Sequence, residues 1–257
     1  MSRRPPTPSD LPLEALRDQY QRLLQRLEAN EREFRRLGRS VLRVQEDERR
    51  RLARELHDGL GQNLTALKHR LARIGDGLTP AQAALRDQLD AAIALCGDTL
   101  EDTRELSRLL RPPILDDLGL DPALHWLART VGESSGLAIA VEVEALPVLE
   151  GDVETLMFRI AQEALHNIVR HADARNVLVR VVARGGLLQL QVVDDGRGCD
   201  PEIAQASGGS GLGGMRERLR LHEGHLQLHA SPGNGTRLRA VVPLENPPGT
   251  ASSAAPA

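Results

Sequence analysis

Aromatic residues are nearly missing from this chain of 257, where Phe, Trp and Tyr together make up 2%. The core must therefore be built from Leu, Val, Ile and Ala. Cysteine is almost as scarce. Cys96 and Cys199 lie far apart with no metal-ligand spacing, which reads as a reduced, cytoplasmic chain. No apolar run approaches the ~20 residues that a membrane span needs, and the opening MSRRPPTPSD has no hydrophobic signal core. Charge of one sign is missing too: 33 Lys plus Arg face 36 Asp plus Glu, a net of −3. That balance excludes the strongly basic surface of broad nucleic-acid binding, so no direct DNA contact is expected. The Arg runs near 32–36 and 49–51 are interleaved with Glu and read as a solvated helix face.

Proline, serine and alanine crowd the two ends, so residues 1–12 and 246–257 read as disordered tails. What lies between is periodic. Leu16, Leu23, Asn30, Leu37 and Val44 form one heptad series, and Tyr20, Leu27, Phe34 and Val41 form the other. Two such seams predict a coiled coil over 13–44, with Asn30 as the polar residue that fixes register. The step from Val41 to Leu52 spans eleven residues, a stutter that locally unwinds the supercoil. A wider stripe follows through Ala53, Leu56, Leu60, Leu64, Leu67, Leu71 and Ile74. After the turn GDGLTP (75–80), a second runs through Leu85, Leu89, Ala92, Cys96, Leu100 and Leu110. Two helices do not close a bundle, so the hairpin over 45–111 predicts a homodimer with a four-helix core.

Pro112 and Pro113 end the second helix. LDPALHWLART then reads as a linker helix within 112–135, N-capped by Asp121 with Pro122 at its first position. Beyond Gly136 the period falls to two. LAIAVEVEAL, NVLVRVVAR and LLQLQVVDD read as strands, the last two joined at Gly185-Gly186, and HLQLHAS with TRLRAVVPL as another hairpin. With a helix over about 152–172 between the first two strands, residues 136–245 predict an α/β layer, helices on one face of a mixed sheet.

The residues that carry chemistry cluster in this half. Glu163 and Asn167 share one helix face, ahead of Arg170 and His171. A carboxylate and an amide oxygen so placed make a hard oxygen site suited to Mg2+, or else an exposed polar face. In VVDDGRG, Asp194 ends a strand before Gly196 and Gly198. Such a carboxylate can accept the amino proton of adenine, or can belong to an ordinary tight turn. GGSGLGGMRER sets Gly209, Gly211 and Gly213 before a helix, whose free N–H groups favour phosphate, although glycines alone also suit a plain loop.

Their order decides between these readings. With GNGT (233–236) before a final strand, the set resembles the N, G1 and G2 boxes of the GHKL ATPases, the group that holds histidine kinases, DNA gyrase B and MutL. EDERRRLARELHDGLGQ resembles the phosphoacceptor helix of the NarL-partner histidine kinases, with their H-D-x-x-x-Q signature. LLRPPILDDLGLDPAL resembles the link between dimer hairpin and ATPase domain in that subgroup, and the likeness covers about residues 42–244. It implies an α plus α/β chain: a coiled-coil signalling helix, a dimeric histidine phosphotransfer hairpin, and a Bergerat-type α/β-sandwich ATPase domain over 136–245. ATP and Mg2+ are the implied cofactors. The resemblance places Asn167 on the metal, Glu163 assisting through water, and Asp194 on adenine. Around the nucleotide it places Arg170, His171, Gly196, Gly198, Gly209, Gly211, Leu212, Gly213 and Thr236.

On a helical wheel His57 falls on the flank of the bundle stripe, beside Asp58, with Gln62 on the same outer face. A His next to a carboxylate is a poised nucleophile towards a γ-phosphate. Gly59 and Gly61 remove bulk beside it, at about 1 kcal/mol each in helix stability, so that an ATPase domain and a receiver domain can approach. The resemblance implies autophosphorylation of His57 and transfer to an aspartate of a response regulator of the NarL type, with Gln62 holding water for dephosphorylation. A nucleotide-binding adaptor without catalysis is the alternative; a gyrase- or MutL-like DNA ATPase would need a basic surface that is missing. No sensor domain precedes the heptads, so the input is expected from an upstream sensor protein or a missing segment. His222, His225 and His229 straddle a helix end and a strand, where zinc is not expected.

Overall fold

The structure, a computed structural model, describes residues 10–199 and 210–244. Helix α1 runs unbroken over Asp10–Glu55, so it begins inside the tail expected over 1–12; the other expected tail, over 246–257, lies outside the described residues. Its 46 residues extend for about 69 Å at 1.5 Å each. The heptad face is uncovered: Tyr20, Leu27, Phe34 and Val41 are between 54% and 68% exposed. No described helix is long and apolar enough to cross a membrane.

At Leu56 the helix changes pitch. Leu56–Gly61 is a π-helical segment, and the α form resumes in α2, Gln62–Asp76. The sequence predicts a continuous thin helix here; two glycines weaken the α ladder, and the wider π turn takes its place. Thr79 and Gln82 then form a capping box that opens a short 3-10 turn and α3, Ala83–Leu110. The buried residues of α3 are Leu100, Thr103 and Ser107, one face at helical spacing. That face meets α1 and the π segment, whereas Leu60, Leu67, Ile74, Leu85 and Leu95 leave a second apolar stripe exposed.

Pro112 and Pro113 break the helix as expected, and α4 (Pro113–Leu118) and α5 (Leu120–Ser135) follow. The cap of α5 differs from the sequence reading. Gly119, at φ +83°, takes the N-cap position, and a carboxylate of Glu154 accepts from the Leu120 N–H at 3.3 Å. Asp121 instead lies within the helix and pairs with His125 one turn on.

The sheet follows the period-two segments closely: β1 (Ala138–Val143), β2 (Asn176–Arg184), β3 (Leu187–Asp194), β4 (His225–Ala230) and β5 (Thr236–Pro243). The spatial order is β1-β2-β3-β5-β4, parallel only between β1 and β2. Helices α5, α6 (Gly151–His171) and α7 (Ser210–Leu221) cover one face. Val179, Val181, Leu188 and Leu190 of the strands meet Met157, Ile160, Leu165, Met215 and Leu219 of the helices. Phe158, one of the few aromatics, sits fully buried among them.

Helix α1 also touches this domain. Arg35 pairs with Glu223 at 2.9 Å, Arg39 Nε donates to the Leu221 carbonyl at 2.6 Å, and Arg43 pairs with Asp152 at 2.6 Å. Arg50 pairs with Asp116 at 2.8 Å, and Gly38 faces Leu221 so closely that a Cβ there would overlap its side chain. Within the arginine runs expected to be a solvated face, Arg35 and Arg50 instead reach out of the helix, whereas Arg32, Arg49 and Arg51 bond to Glu28, Glu46 and Glu48 of α1 itself.

Candidate functional site

Two groups of residues emerge, at different places. In the first, the π segment presents His57 and Asp58 to solvent, with Gln62 exposed at the start of α2. A Cβ added to Gly59 would meet nothing within 4 Å, and one on Gly61 would make only ordinary contact with Leu100. The chain's own packing therefore does not require either glycine, and the surface beside them is open. His57 and Asp58 line a cleft of about 850 Å³ with Arg50, Ser107, Asp152 and Arg159, between α1 and the first half of α6.

In the second group, α6 carries Glu163 and Asn167 half-buried on one stripe against the start of α7. Gly211 makes this contact possible. A Cβ there would overlap Glu163 Oε1 and stand 3.4 Å from Asn167 Nδ2. Asp194, 6% exposed at the end of β3, accepts from the Gly196 N–H through Oδ1 at 2.9 Å. The backbone packs tightly around it: a Cβ on Gly196 would strike the Ala172 carbonyl, and one on Gly235 the Asp194 carbonyl. Gly198 and Gly235 also need positive φ, +64° and +68°. Thr236 lies opposite Asp194 in the β3–β5 register. Leu212 packs on the core, Gly213 has open space beside it, and Gly209 lies outside the described residues. The Arg170 and His171 side chains are exposed; the His171 carbonyl accepts from Arg197 Nε at 2.6 Å, which ties the end of α6 to the turn after β3.

Sequence reading passed over Asp195. Its carboxylate accepts from the backbone N–H groups of Asn176 and Arg175 and from the Asn176 side-chain amide, at 2.7–2.9 Å. The backbone donation from Asn176, then its amide and Arg175, holds the carboxyl down at about 2. This pins the start of β2 beside Asp194. A doubled acidic pair at a strand end was the available signal.

The donors fit a magnesium ion bound through a phosphate. Glu163 and the Asn167 amide oxygen are hard ligands, and no cluster of three or more His, Cys, Asp or Glu that could hold a metal occurs among the described residues. A cation here would complete its shell with water and ligand oxygens. Of Glu163, Asn167, Gly211 and Asp194, none is among the described residues that line the cleft beside His57.

A charged hub ties α1 to α6, the helix that carries Glu163 and Asn167. Glu46 of α1 accepts from Arg159 Nε and Nη2 at 2.9 and 2.7 Å and from Arg111 at 3.2 Å. Arg159 and Arg111 are 5% and 6% exposed; Arg159 also donates to the Leu110 carbonyl, and Arg111 to Asp116. Burial pushes the Glu46 carboxyl up, but hydrogen bonding and charge from Arg159, with Arg49 and Arg111 behind it, bring it below the usual carboxylate range. Burial lowers Arg159 against the pull of Glu46, yet a guanidinium stays protonated in proteins.

A family model described as "Histidine kinase" matches residues 48–115, and one described as "Histidine kinase-, DNA gyrase B-, and HSP90-like ATPase" matches residues 152–246. The chain belongs to the histidine kinases. The first match contains the His57–Gln62 signature, and the second contains Glu163, Asn167, Asp194 and the glycines of α7. Among curated relatives, this histidine kinase chain is 35% identical over 210 residues to sensor histidine kinase MctS of Rhizobium johnstonii, covering 80% of the chain and 45% of that protein. It is 31% identical over 223 residues to the histidine-protein kinase/phosphatase DegS of Brevibacillus brevis, covering 83% and 55%. The chain thus spans about half the length of the curated relatives it matches. Solved structures that resemble it include the kinase domain of a blue-light activated histidine kinase of Erythrobacter litoralis (TM-score 0.46, 21% identity, 71% of this chain and 94% of that one). Another is AdeS of Acinetobacter baumannii (TM-score 0.42, 16% identity, 74% and 98%).

Proposed function

We propose that this chain is an ATP-dependent protein histidine kinase that works as a homodimer. It phosphorylates His57, passes the phosphoryl group to an aspartate of a response regulator of the NarL type, and removes it again. An upstream sensor protein or segment feeds α1. The observation that carries this reading is one chain holding both an exposed His57–Asp58 pair on an open π turn and, in its other half, the close Gly211 approach to Glu163 and Asn167 and the buried Asp194 bonded to Gly196.

In this reading the buried Asp194 receives the adenine amino group, and the free N–H groups at the start of α7 face the phosphates. Asn167 would hold Mg2+, with Glu163 assisting through water, and the ion would supply positive charge against the phosphates. A neutral ring nitrogen of His57 attacks the γ-phosphorus, the bond to the β,γ-bridging oxygen breaks, and ADP leaves. Asp58 orients the imidazole and takes its proton. Positioning and charge carry most of such transfer. Since the nucleotide residues stand apart from the cleft beside His57, transfer requires the ATPase domain to leave the α1 ladder, or the acceptor to be His57 of the partner protomer.

The test is acid-labile labelling from γ-labelled ATP. His57→Gln is expected to take no label while still binding nucleotide and dimerising. Asn167→Ala is expected to lose Mg2+-dependent nucleotide binding, and with it the labelling of an intact His57. A labelled His57→Gln protein, or an Asn167→Ala protein with full Mg·ATP affinity, refutes the reading; a dimer that binds ATP and takes no label is the adaptor instead.

A further inference from the structure

The π segment has a support outside itself. An α-helix pairs each carbonyl with the amide four residues on, and a π turn moves that pairing to five, so the change of ladder disturbs carbonyls at its edges. Ala53 lies in the last turn of α1, three residues before the segment and 7% exposed, and its carbonyl receives the Ser107 hydroxyl at 2.8 Å. Gly61 stands at the exit, and its carbonyl receives the Thr65 hydroxyl at 2.7 Å. Thr65 is a neighbour in the same helix, and such back-bonding is common. Ser107 is different: it reaches across from α3, 54 residues away, and is itself 6% exposed. A buried hydroxyl aimed at one backbone carbonyl is a poor choice for packing alone, since Ala or Val would fill the place without a polar group to satisfy.

We propose that Ser107 is a positioning residue for His57: its bond to the Ala53 carbonyl holds the π register that turns the imidazole towards its phosphodonor. Inserting one residue's worth of turn rotates all that follows by about 100° relative to an unbroken α-helix. Without the hydroxyl the Ala53 carbonyl is buried and lacks that donor, and the segment gains by returning to α pairing. Gln62 and α2 then turn relative to α1, and His57 and Asp58, inside the rewound segment, shift relative to Ser107 and the cleft that all three line. Thr103, one turn earlier on the same buried face, bonds back to its own helix at Thr99 and gives no such support. The inference rests on the reading of His57 as phosphoacceptor, and goes beyond it by naming the group that sets its orientation.

The experiment uses the full chain, wild type, Ser107→Ala and Ser107→Thr, with two readouts. The rate of His57 labelling is followed against Mg·ATP concentration, and the carbon resonances of the Ala53 carbonyl and the His57 backbone are followed in carbon-13-labelled protein. In Ser107→Ala, misorientation is expected to lower the maximal labelling rate by about 10- to 100-fold with KM for ATP unchanged. The Ala53 and His57 resonances shift in the same variant. Ser107→Thr, which keeps the hydroxyl, restores both. A wild-type rate in Ser107→Ala, unmoved resonances, or a loss equal in the Ala and Thr variants overturns the proposal. A wild-type chain that takes no label refutes the kinase reading instead, while the resonances still report whether Ser107 holds the segment.

Discussion

Replacing Glu46 with Gln keeps the shape of the hub and removes its negative charge. Arg159 and Arg111 then stay buried at 5% and 6% exposure, and only Arg111 retains a carboxylate, Asp116 at 2.6 Å. Removing one partner of a buried ion pair typically destabilises by about 3–5 kcal/mol. The Glu46 side chain keeps 19% exposure, and Gln162 with the Leu110 carbonyl still accepts from Arg159, so the cost falls at or below the lower end of that range. We expect about 2–3 kcal/mol against the docked arrangement, which is roughly a 30- to 150-fold change in the ratio of docked to released ATPase domain. Energy transfer between dyes reads this ratio, with sites at the exposed Arg70→Cys and Gln227→Cys, Cys96 and Cys199 replaced by Ser, and excess unlabelled chain to suppress signals between protomers. Glu48→Gln, which breaks only the exposed pair with Arg51, serves as control and is expected to stay within about 0.5 kcal/mol of wild type. Lower pH gives a second route to the same state. The Glu46 carboxyl is depressed in the docked form, so its contribution is complete above the ordinary Glu value near about 4.3 and is lost as pH falls through the depressed value. Equal transfer in Glu46→Gln and wild type, or an equal fall in the Glu48→Gln control, refutes the assignment of Glu46 as the hub.

Gly235→Ala forces a side chain against the Asp194 carbonyl at φ +68°; denaturant titration is expected to show a loss of about 1–3 kcal/mol or more, since both overlap and backbone strain oppose it. Asp58→Asn is expected chiefly to slow autophosphorylation, whereas Gln62→Ala leaves labelling near normal and slows dephosphorylation of the regulator; equal regulator decay with both proteins returns Gln62 to a solvated side chain. Deleting residues 1–44 is expected to weaken the dimer without abolishing it, since the exposed stripe of α2 and α3 persists; a fully monomeric truncation in sedimentation places the main contact in α1.

Where the fold rests on local periodicity, the sequence was legible. NVLVRVVAR coincides with β2, Gly185-Gly186 adopts the positive φ of a tight turn, and α6 begins within a residue of its expected start. Legible too was the grouping of Glu163 and Asn167, because helical spacing alone puts them on one face. What escaped depends on residues far apart in the chain. The cap of α5 comes from Glu154, 34 residues on. The π pitch at His57 is supported by Ser107, and glycine content alone says only that the α ladder is weak. The arginines of α1 are interleaved with acids, which looks the same in a solvated face as in one whose partners sit on another domain. Asp195 escaped for a related reason: its three donors belong to Arg175 and Asn176, which precede it by about twenty residues at the start of the neighbouring strand.

The contacts of α1 with the ATPase domain fall at Arg35, Arg39, Arg43 and Glu46, and the contact with the linker before that domain at Arg50, in steps of four, four, three and four. Their mean, about 3.75 residues per turn, suits a straight or slightly overwound helix. The heptad seam on the same rod demands about 3.5, the underwinding of a left-handed supercoil. Over the fifteen residues from Arg35 to Arg50 those demands differ from a relaxed helix by torsion: winding to 3.5 turns the last contact by roughly 40° relative to the first. A rigid domain cannot follow both ends of so twisted a ladder. The eleven-residue step from Val41 to Leu52 begins inside this stretch, ends just past it, and relaxes the winding to about 3.67. A coil that wound this rod to its heptad repeat would therefore apply torque to the docked domain, and the stutter would set how much of that torque arrives.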